Sequence, residues 1–205
     1  GRFEFEISLH ELSGIADPGA QSGLSRYLNK LGVGDEVDFV RVPELYRSVF
    51  PDLDIVLPTG WEALEDTLCR AFPHEARGVR SFAKHVRDAV SEIHRFTGGA
   101  TRPNPLTAPF RFPNLLRILP ISWSQFLDHH IRDARLKAVL SQYWGYFGLG
   151  PSKVSALYFG SAMNSYITTG PKYVRGRSQT LSNAFAAVFE RHGGELRLNC
   201  GVAHI

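Results

Sequence analysis

Residues 173–205 read YVRGRSQTLSNAFAAVFERHGGELRLNCGVAHI, and their periodicity decides the fold class. Leu181, Ala184, Phe185, Val188 and Phe189 fall at i, i+3, i+4, i+7 and i+8, the spacing of one apolar helix face. Ser178 or Thr180 can cap the start of that helix, and Gly193-Gly194 supplies the positive φ that ends it. Leu196, Leu198 and Cys200 then alternate with Glu195, Arg197 and Asn199, which predicts a strand. Val202 and Ile205 carry apolar, strand-like sequence on to the last residue. Near the other end Phe3, Phe5, Ile7 and Leu9 alternate with Glu4, Glu6, Ser8 and His10 in the same way. A strand at each end of the chain leads to the expectation that this is a piece of a longer protein, with both ends belonging to one sheet whose other strands lie outside it.

Between these ends the pattern is mostly helical. A helix is expected around Ser22 to Leu31, with Leu24, Tyr27, Leu28 and Leu31 on one face and Gly32 ending it. Short extended segments follow near Val37–Val42, Leu45–Phe50 and Leu53–Leu57, punctuated by Pro43 and Pro51, and read as a small antiparallel sheet. Thr59-Gly60-Trp61-Glu62 has the form of a capping box, opening a helix that ends at Phe72-Pro73. Val79, Phe82, Val86, Ala89, Ile93 and Phe96 mark a long helix over roughly Glu75 to Phe96, whose His85 and His94 are expected at the surface. Residues 97–109 form an irregular Gly/Pro connector, read as an internal loop. Ser122-Trp123-Ser124-Gln125 is a second capping box, and Asp133 can cap the helix after it. The class is therefore α+β, a small and mainly antiparallel sheet covered by a helical layer.

With 205 residues, 43% hydrophobic and 21% charged, the chain has an ordinary globular composition and can bury one core or two small ones. Its net charge is +3, but the basic residues are scattered among acids. That excludes the concentrated cationic stripe nucleic acid binding needs. Cys69 and Cys200 have no metal-site or redox spacing, read as buried free thiols, and fit a reducing, cytoplasmic compartment. His129 and His130 flanked by Asp128 and Asp133 are adjacent residues that point to different helix faces, and no metal site is expected there.

Two stretches carry competing readings. Tyr143-Trp144-Gly145-Tyr146-Phe147 sets aromatic rings beside glycines at a helix junction, either as the wall of an apolar pocket or as a core corner. Residues 110–121 crowd Phe110, Phe112, Leu115, Leu116, Ile118, Leu119 and Ile121 around Arg111 and Arg117. They suit either a peripheral membrane contact or a helix with one face in the core.

Phe5-Glu6-Ile7-Ser8-Leu9-His10 and the later order Phe126-Leu127-Asp128, Leu136-Lys137, Gly148 to Pro151, Ser155, Tyr166, Gly170, Tyr173, Gly176, Leu181, Ala184, Gly193-Gly194-Glu195 and Val202 to Ile205 give the chain a resemblance. It resembles the carotenoid desaturase, carotenoid isomerase and retinol saturase group of FAD-dependent oxidoreductases. That group has Gly-Gly where this chain has Arg175-Gly176-Arg177, and Gly where it has Ser8.

The resemblance implies a substrate-binding domain over 17–172, with 1–16 and 173–205 as edges of an FAD-binding domain. It implies hydride exchange between flavin and a long apolar polyene or isoprenoid, with the cofactor carrying the chemistry. Ser8, Gly176 and Val202 would lie near the cofactor, and His10, Tyr143, Trp144, Tyr146 and Phe147 near the substrate. His10 is equally readable as a surface histidine bonded to a nearby acid. The G-x-G-x-x-G turn that cradles a dinucleotide is missing, so this stretch alone is not expected to hold FAD. The rival reading is a non-catalytic helical module that binds a lipid or a partner protein. Oligomeric state is not legible in the sequence.

Overall fold

A computed structural model describes residues 11–17, 23–98, 104 and 106–204. In chain order its elements are α1 (Gly23–Lys30), β1 (Phe39–Arg41), β2 (Glu44–Phe50), β3 (Leu53–Pro58), α2 (Trp61–Ala71), α3 (Ala76–Thr97), α4 (Ala108–Arg111), α5 (Pro113–Ile118), α6 (Trp123–Asp128), α7 (Ala134–Leu140), α8 (Trp144–Phe147), α9 (Ala156–Thr169), β4 (Lys172–Val174) and α10 (Ser178–Arg191). The α+β class holds. The strands form two separate antiparallel pairs, β1 with β4 and β2 with β3, where one small sheet was expected over 37–57. Pro43, which has no N–H to give a ladder, stands between β1 and β2, and the two strands take different partners. The expected first strand, with Ser8 and His10, lies outside the described residues.

The chain divides into two compact units. Described residues up to Val42 and from Pro171 onward form one, and Pro43–Gly170 the other. Sequence reasoning placed the divisions at 16/17 and 172/173, so β1 and α1 fall with the ends of the chain rather than with the middle.

In the Pro43–Gly170 unit, α3 is the central element. Val79, Phe82, Ala83, Val86, Ala89 and Val90 are buried along it, at the 3/4 spacing read from sequence. Trp123 stacks on Phe159 with ring centroids 4.4 Å apart and meets Phe82 edge-on at 5.8 Å. β2 and β3 turn through Pro51-Asp52 and bury Leu45, Ile55 and Leu57 in the same core. Two of the expected caps form. The Ser122 hydroxyl accepts from Gln125 N while the Gln125 side chain accepts from Ser122 N, and Asp133 Oδ1 accepts from Arg135 N and Leu136 N. The third does not. α2 is capped by Gly60 at φ 87° with no side-chain cap, and Gly60 N donates instead to Ile167 O.

The other unit has its own core of Ile15, Leu28, Val33, Val37, Val174, Ala184 and Val188. Lys172 is buried in β4, its ammonium on the Asp17 carboxylate, while Leu12 and Lys172 exchange backbone hydrogen bonds at 2.7 and 2.8 Å. The Lys172 hydrogen bond holds the Asp17 carboxyl below its usual range.

α10 starts at Ser178, so Ser178 is helical rather than capping, and the Thr180 hydroxyl donates back to Gly176 O. Its end matches expectation, with Gly193 at φ 85° and Gly194 N bonded to Phe189 O. Phe185 and Phe189, counted from sequence on the core face, are exposed. Residues 195–204 form no strand, since none of their backbone finds a ladder, and Leu196, Leu198, Cys200 and Val202 are exposed. Cys200 is thus not the buried thiol expected, whereas Cys69 is partly buried and its thiol is pushed up by burial.

Phe82→Ala is expected to lower stability by about 3–5 kcal/mol, and Phe110→Ala, at an 86% exposed ring, by no more than about 0.5 kcal/mol. Urea unfolding midpoints with unchanged m-values check both.

Candidate functional site

Ser81 and His85 stand one helical turn apart on α3, and Gly78 lies one turn before Ser81 on the same face. The chain leaving α6 crosses α3 at this point because Gly78 has no side chain. A Cβ there would lie 2.2 Å from the His130 carbonyl oxygen. The crossing brings His130 Nδ1 to 3.1 Å from the Ser81 hydroxyl and His130 Nε2 to 3.1 Å from His85 Nδ1. Phe126 meets the His130 ring edge-on at 4.9 Å.

These contacts make a three-member hydrogen-bond chain. With both imidazoles neutral, one proton occupies the space between His130 Nε2 and His85 Nδ1, and the Ser81 hydroxyl donates to or accepts from His130 Nδ1 accordingly. A second proton would set two N–H groups against each other. Burial, then the charges of His85 and His129, lowers the His130 pKa to about 4. Burial, then Lys84 and Arg117, lowers that of His85, with Asp88 opposing.

α5 supplies the facing wall. Glu92, buried on α3, accepts from Asn114 Nδ2 and Leu115 N at 2.7 Å each, which seats the first turn of α5 against α3. A cavity of about 470 Å³ results, lined by Ser81, His85, Asn114, Arg117, Ile118, Ile121, Phe126, His129 and His130. No carboxylate lines it. A neighbouring groove of about 630 Å³, which shares Ser81, His129 and His130 with the cavity, does include acids. There Glu75 accepts from Arg132 N and Asp133 N, and Asp128 pairs with Lys137.

The Ser81–His130 contact lacks what acyl transfer needs. Ser81 is mid-helix, so the N–H groups around its hydroxyl belong to the helical ladder and not to an oxyanion hole. Among the described residues no three His, Cys, Asp or Glu side chains converge as a metal site.

The residues singled out from sequence fall elsewhere. Tyr143 is buried, donates to Leu45 O at 3.2 Å, and stacks on Tyr166 with centroids 4.9 Å apart. Phe147 packs against Phe159 at 4.8 Å. Trp144 and Tyr146, by contrast, are 51% and 47% exposed. The aromatic stretch is therefore half core corner and half surface. Gly176 occupies the turn between β4 and α10 at φ 83°, and Val202 is exposed in irregular chain. These two belong to one unit and the aromatic stretch to the other.

In segment 110–121, Phe112, Leu115 and Ile118 turn inward while Phe110, Leu116 and Leu119 are exposed. No helix among the described residues is long and apolar enough to cross a membrane. His85, expected at the surface, is half-buried and paired, and sequence reasoning missed the site it makes with Ser81 and His130. The usable signal was Gly78, a lone glycine inside a strong helical pattern, which often marks a close backbone approach.

No protein-family profile matches the chain. It is similar to a 4,4'-diapophytoene desaturase (4,4'-diapolycopene-forming) from Methylomonas sp, with 24% identity over 174 residues that cover 80% of this chain and 32% of that protein. The chain spans about a third of the length of the curated relative it matches. At that level the finding is a distant similarity to part of a diapophytoene desaturase.

The depressed His130 pKa has a stability consequence with a definite sign. Unfolded, His130 takes up a proton near its ordinary value of 6.5, whereas folded it does so only near 4. The contribution is therefore complete above pH 6.5 and is lost as pH falls from there toward 4. Solvent screening of the partly exposed ring brings the expected loss down to about 2 kcal/mol, read as the drop in unfolding free energy between pH 7 and pH 4. His130→Gln should flatten that drop. Gly78→Ala should cost about 1–3 kcal/mol at any pH, because the His130 carbonyl must move.

Proposed function

We propose that the chain is a substrate-binding portion of an FAD-dependent oxidoreductase that exchanges hydride with a long apolar polyene or isoprenoid. The observation that carries the reading is the similarity to a diapophytoene desaturase running through 80% of the chain. The ordered resemblance to the wider desaturase, isomerase and saturase group supports it from the sequence side. Bound flavin would supply the hydride acceptor or donor, and the protein would hold and orient an apolar substrate.

The residues present fit only part of that task. A dinucleotide pyrophosphate sits on a Gly-rich turn that follows a parallel strand, whereas every ladder among the described residues is antiparallel. Ser8, the Gly176 turn and the Val202 segment would therefore give flanking contacts to FAD rather than hold it. On the substrate side the exposed rings of Trp144 and Tyr146, with Leu149 exposed beside them, offer flat apolar area for a conjugated chain, and Tyr143 and Phe147 back them from the core. His10 is the polar candidate beside that substrate.

A peripheral membrane contact suits a polyene dissolved in lipid. Exposed Leu106, Phe110, Leu116 and Leu119 next to Arg111 and Arg117 support one along α4 and α5. The same surface favours the second reading, a non-catalytic helical module that binds lipid.

Purified full-length protein separates the two. A flavin chromophore absorbing near ~450 nm and FAD-dependent conversion of a polyene, followed by chromatography, are expected. A colourless protein indifferent to FAD overturns the oxidoreductase reading. In that protein, Trp144→Ala with Tyr146→Ala should lower kcat/KM for the polyene by about tenfold with flavin content unchanged. Phe110→Ser with Leu119→Ser should reduce co-sedimentation with lipid vesicles.

A further inference from the structure

We infer that the cavity between α3 and α5 binds an amphipathic carboxylate, its head on Arg117, His129 and the remaining ring nitrogen of His85, which His130 backs, and its apolar chain on Ile118, Ile121 and Phe126. The inference is independent of the oxidoreductase reading, since it rests on a cavity in which no expected substrate residue takes part.

The charge inventory points this way first. Arg117, His85, His129 and His130 all line the cavity, and no carboxylate does. Arg47, Arg87 and Arg135 in the same unit each have an acid, namely Asp54, Glu65 and Asp52. Arg117 has no ion pair or hydrogen bond among the described residues.

Acids on the elements around the cavity are already engaged. Asp88 pairs with Lys84 on α3, Asp128 with Lys137, and Glu92 holds Asn114 Nδ2 and Leu115 N. With the imidazoles neutral, the Arg117 guanidinium is the permanent charge of the cavity lining, and an oxyanion would give it the counter-ion that no lining residue supplies.

The polar wall is also preset. Ser81 fixes one nitrogen of His130 and His85 the other, so the imidazoles are oriented before any ligand arrives.

The shape then selects among anions. One permanently charged group favours a monoanion, and a guanidinium matches a carboxylate through two parallel N–H bonds. Ile118, Ile121 and Phe126 give a bare oxyanion nothing to bind with, but they shield an alkyl or polyene chain from water. The volume of about 470 Å³ lies within the range of small-molecule sites.

The test is calorimetric titration of the 205-residue chain with dodecanoate below its micellar concentration, with dodecanol, acetate and inorganic phosphate as comparators. One dodecanoate per chain is expected, bound at least about tenfold more tightly than any comparator. Arg117 is exposed, so Arg117→Gln should keep the wild-type melting temperature while weakening dodecanoate by about tenfold.

Binding should also draw a proton to the histidine pair. Affinity is expected to rise about threefold from pH 8 to pH 6. NMR should show the His85 and His130 ring titrations shifted upward by dodecanoate and not by dodecanol. His85→Gln and His130→Gln should each flatten the pH dependence, so a folding defect in one leaves the other as the readout.

Dodecanol binding as tightly as dodecanoate would overturn the proposal, as would phosphate matching it or Arg117→Gln leaving affinity unchanged. Vesicles containing dodecanoate that bind the chain when free dodecanoate does not would also overturn it, by assigning the effect to the exposed apolar surface of α4 and α5.

Discussion

Trp123 is wholly buried, flat against Phe159 and edge-on to Phe82, and the larger unit depends on that contact. Aromatic side chains bury about 150–250 Å² each, so three meeting at one point dominate the local energetics. The rings belong to α6, α9 and α3. Two backbone bonds fasten the same junction, Trp123 N to Val154 O at 2.9 Å and Ala156 N to Ile121 O at 3.0 Å. Once the start of α6 is held, its far end has to leave across α3, and Gly78 is where the backbone fits. The Ser81–His130–His85 chain follows from that packing, as a geometric consequence of seating a tryptophan.

Features that depend on neighbours in sequence were legible without coordinates. The Ser122 and Gln125 exchange, the Asp133 cap and the Gly193 stop each involve residues within about one turn of each other, where residue type and spacing fix the geometry. The apolar seam of α3 was legible for the same reason from Val79 to Ala89, while Phe96, counted on the same face, is exposed. Gly60 displaced Thr59 as the cap of α2 because its N–H reaches Ile167 O, a partner far away in sequence. The histidine site was illegible on the same ground, for His85 and His130 are 45 residues apart and each alone looks like a surface group. The alternation of Leu196, Leu198 and Cys200 states a preference only. A strand also needs a second backbone to bond to, and among the described residues these find none.

Lys172 shows the same limit in the smaller unit. As one lysine in an unmarked stretch of sequence it carries no signal, yet it is 3% exposed in β4, and its charge is met by Asp17. Arg41 reaches the other oxygen of that carboxylate at 2.9 Å. A buried ammonium deprived of its partner is costly, so Asp17 fixes how the segment after Leu12 runs beside β4. The pairing of β1 with β4, which sequence reasoning missed, is thus fastened by charge at its margin as well as by the ladder.

Hydride exchange with a polyene and the histidine-lined cavity make opposite demands on a protein surface. A conjugated hydrocarbon has no group to satisfy a hydrogen-bond donor, so laying it against Arg117 and three imidazoles would strip those groups of water without replacement. The exposed rings of Trp144 and Tyr146 would carry no such penalty, which is why the hydrocarbon is proposed to lie there. The cavity suits a molecule with two characters, since its apolar floor rewards a chain and its cationic wall rewards a charged end. A polyene lacking that end gains only the floor and loses the wall. The surface proposed for the polyene and the cavity are therefore two different surfaces of one helical unit, and neither can stand in for the other.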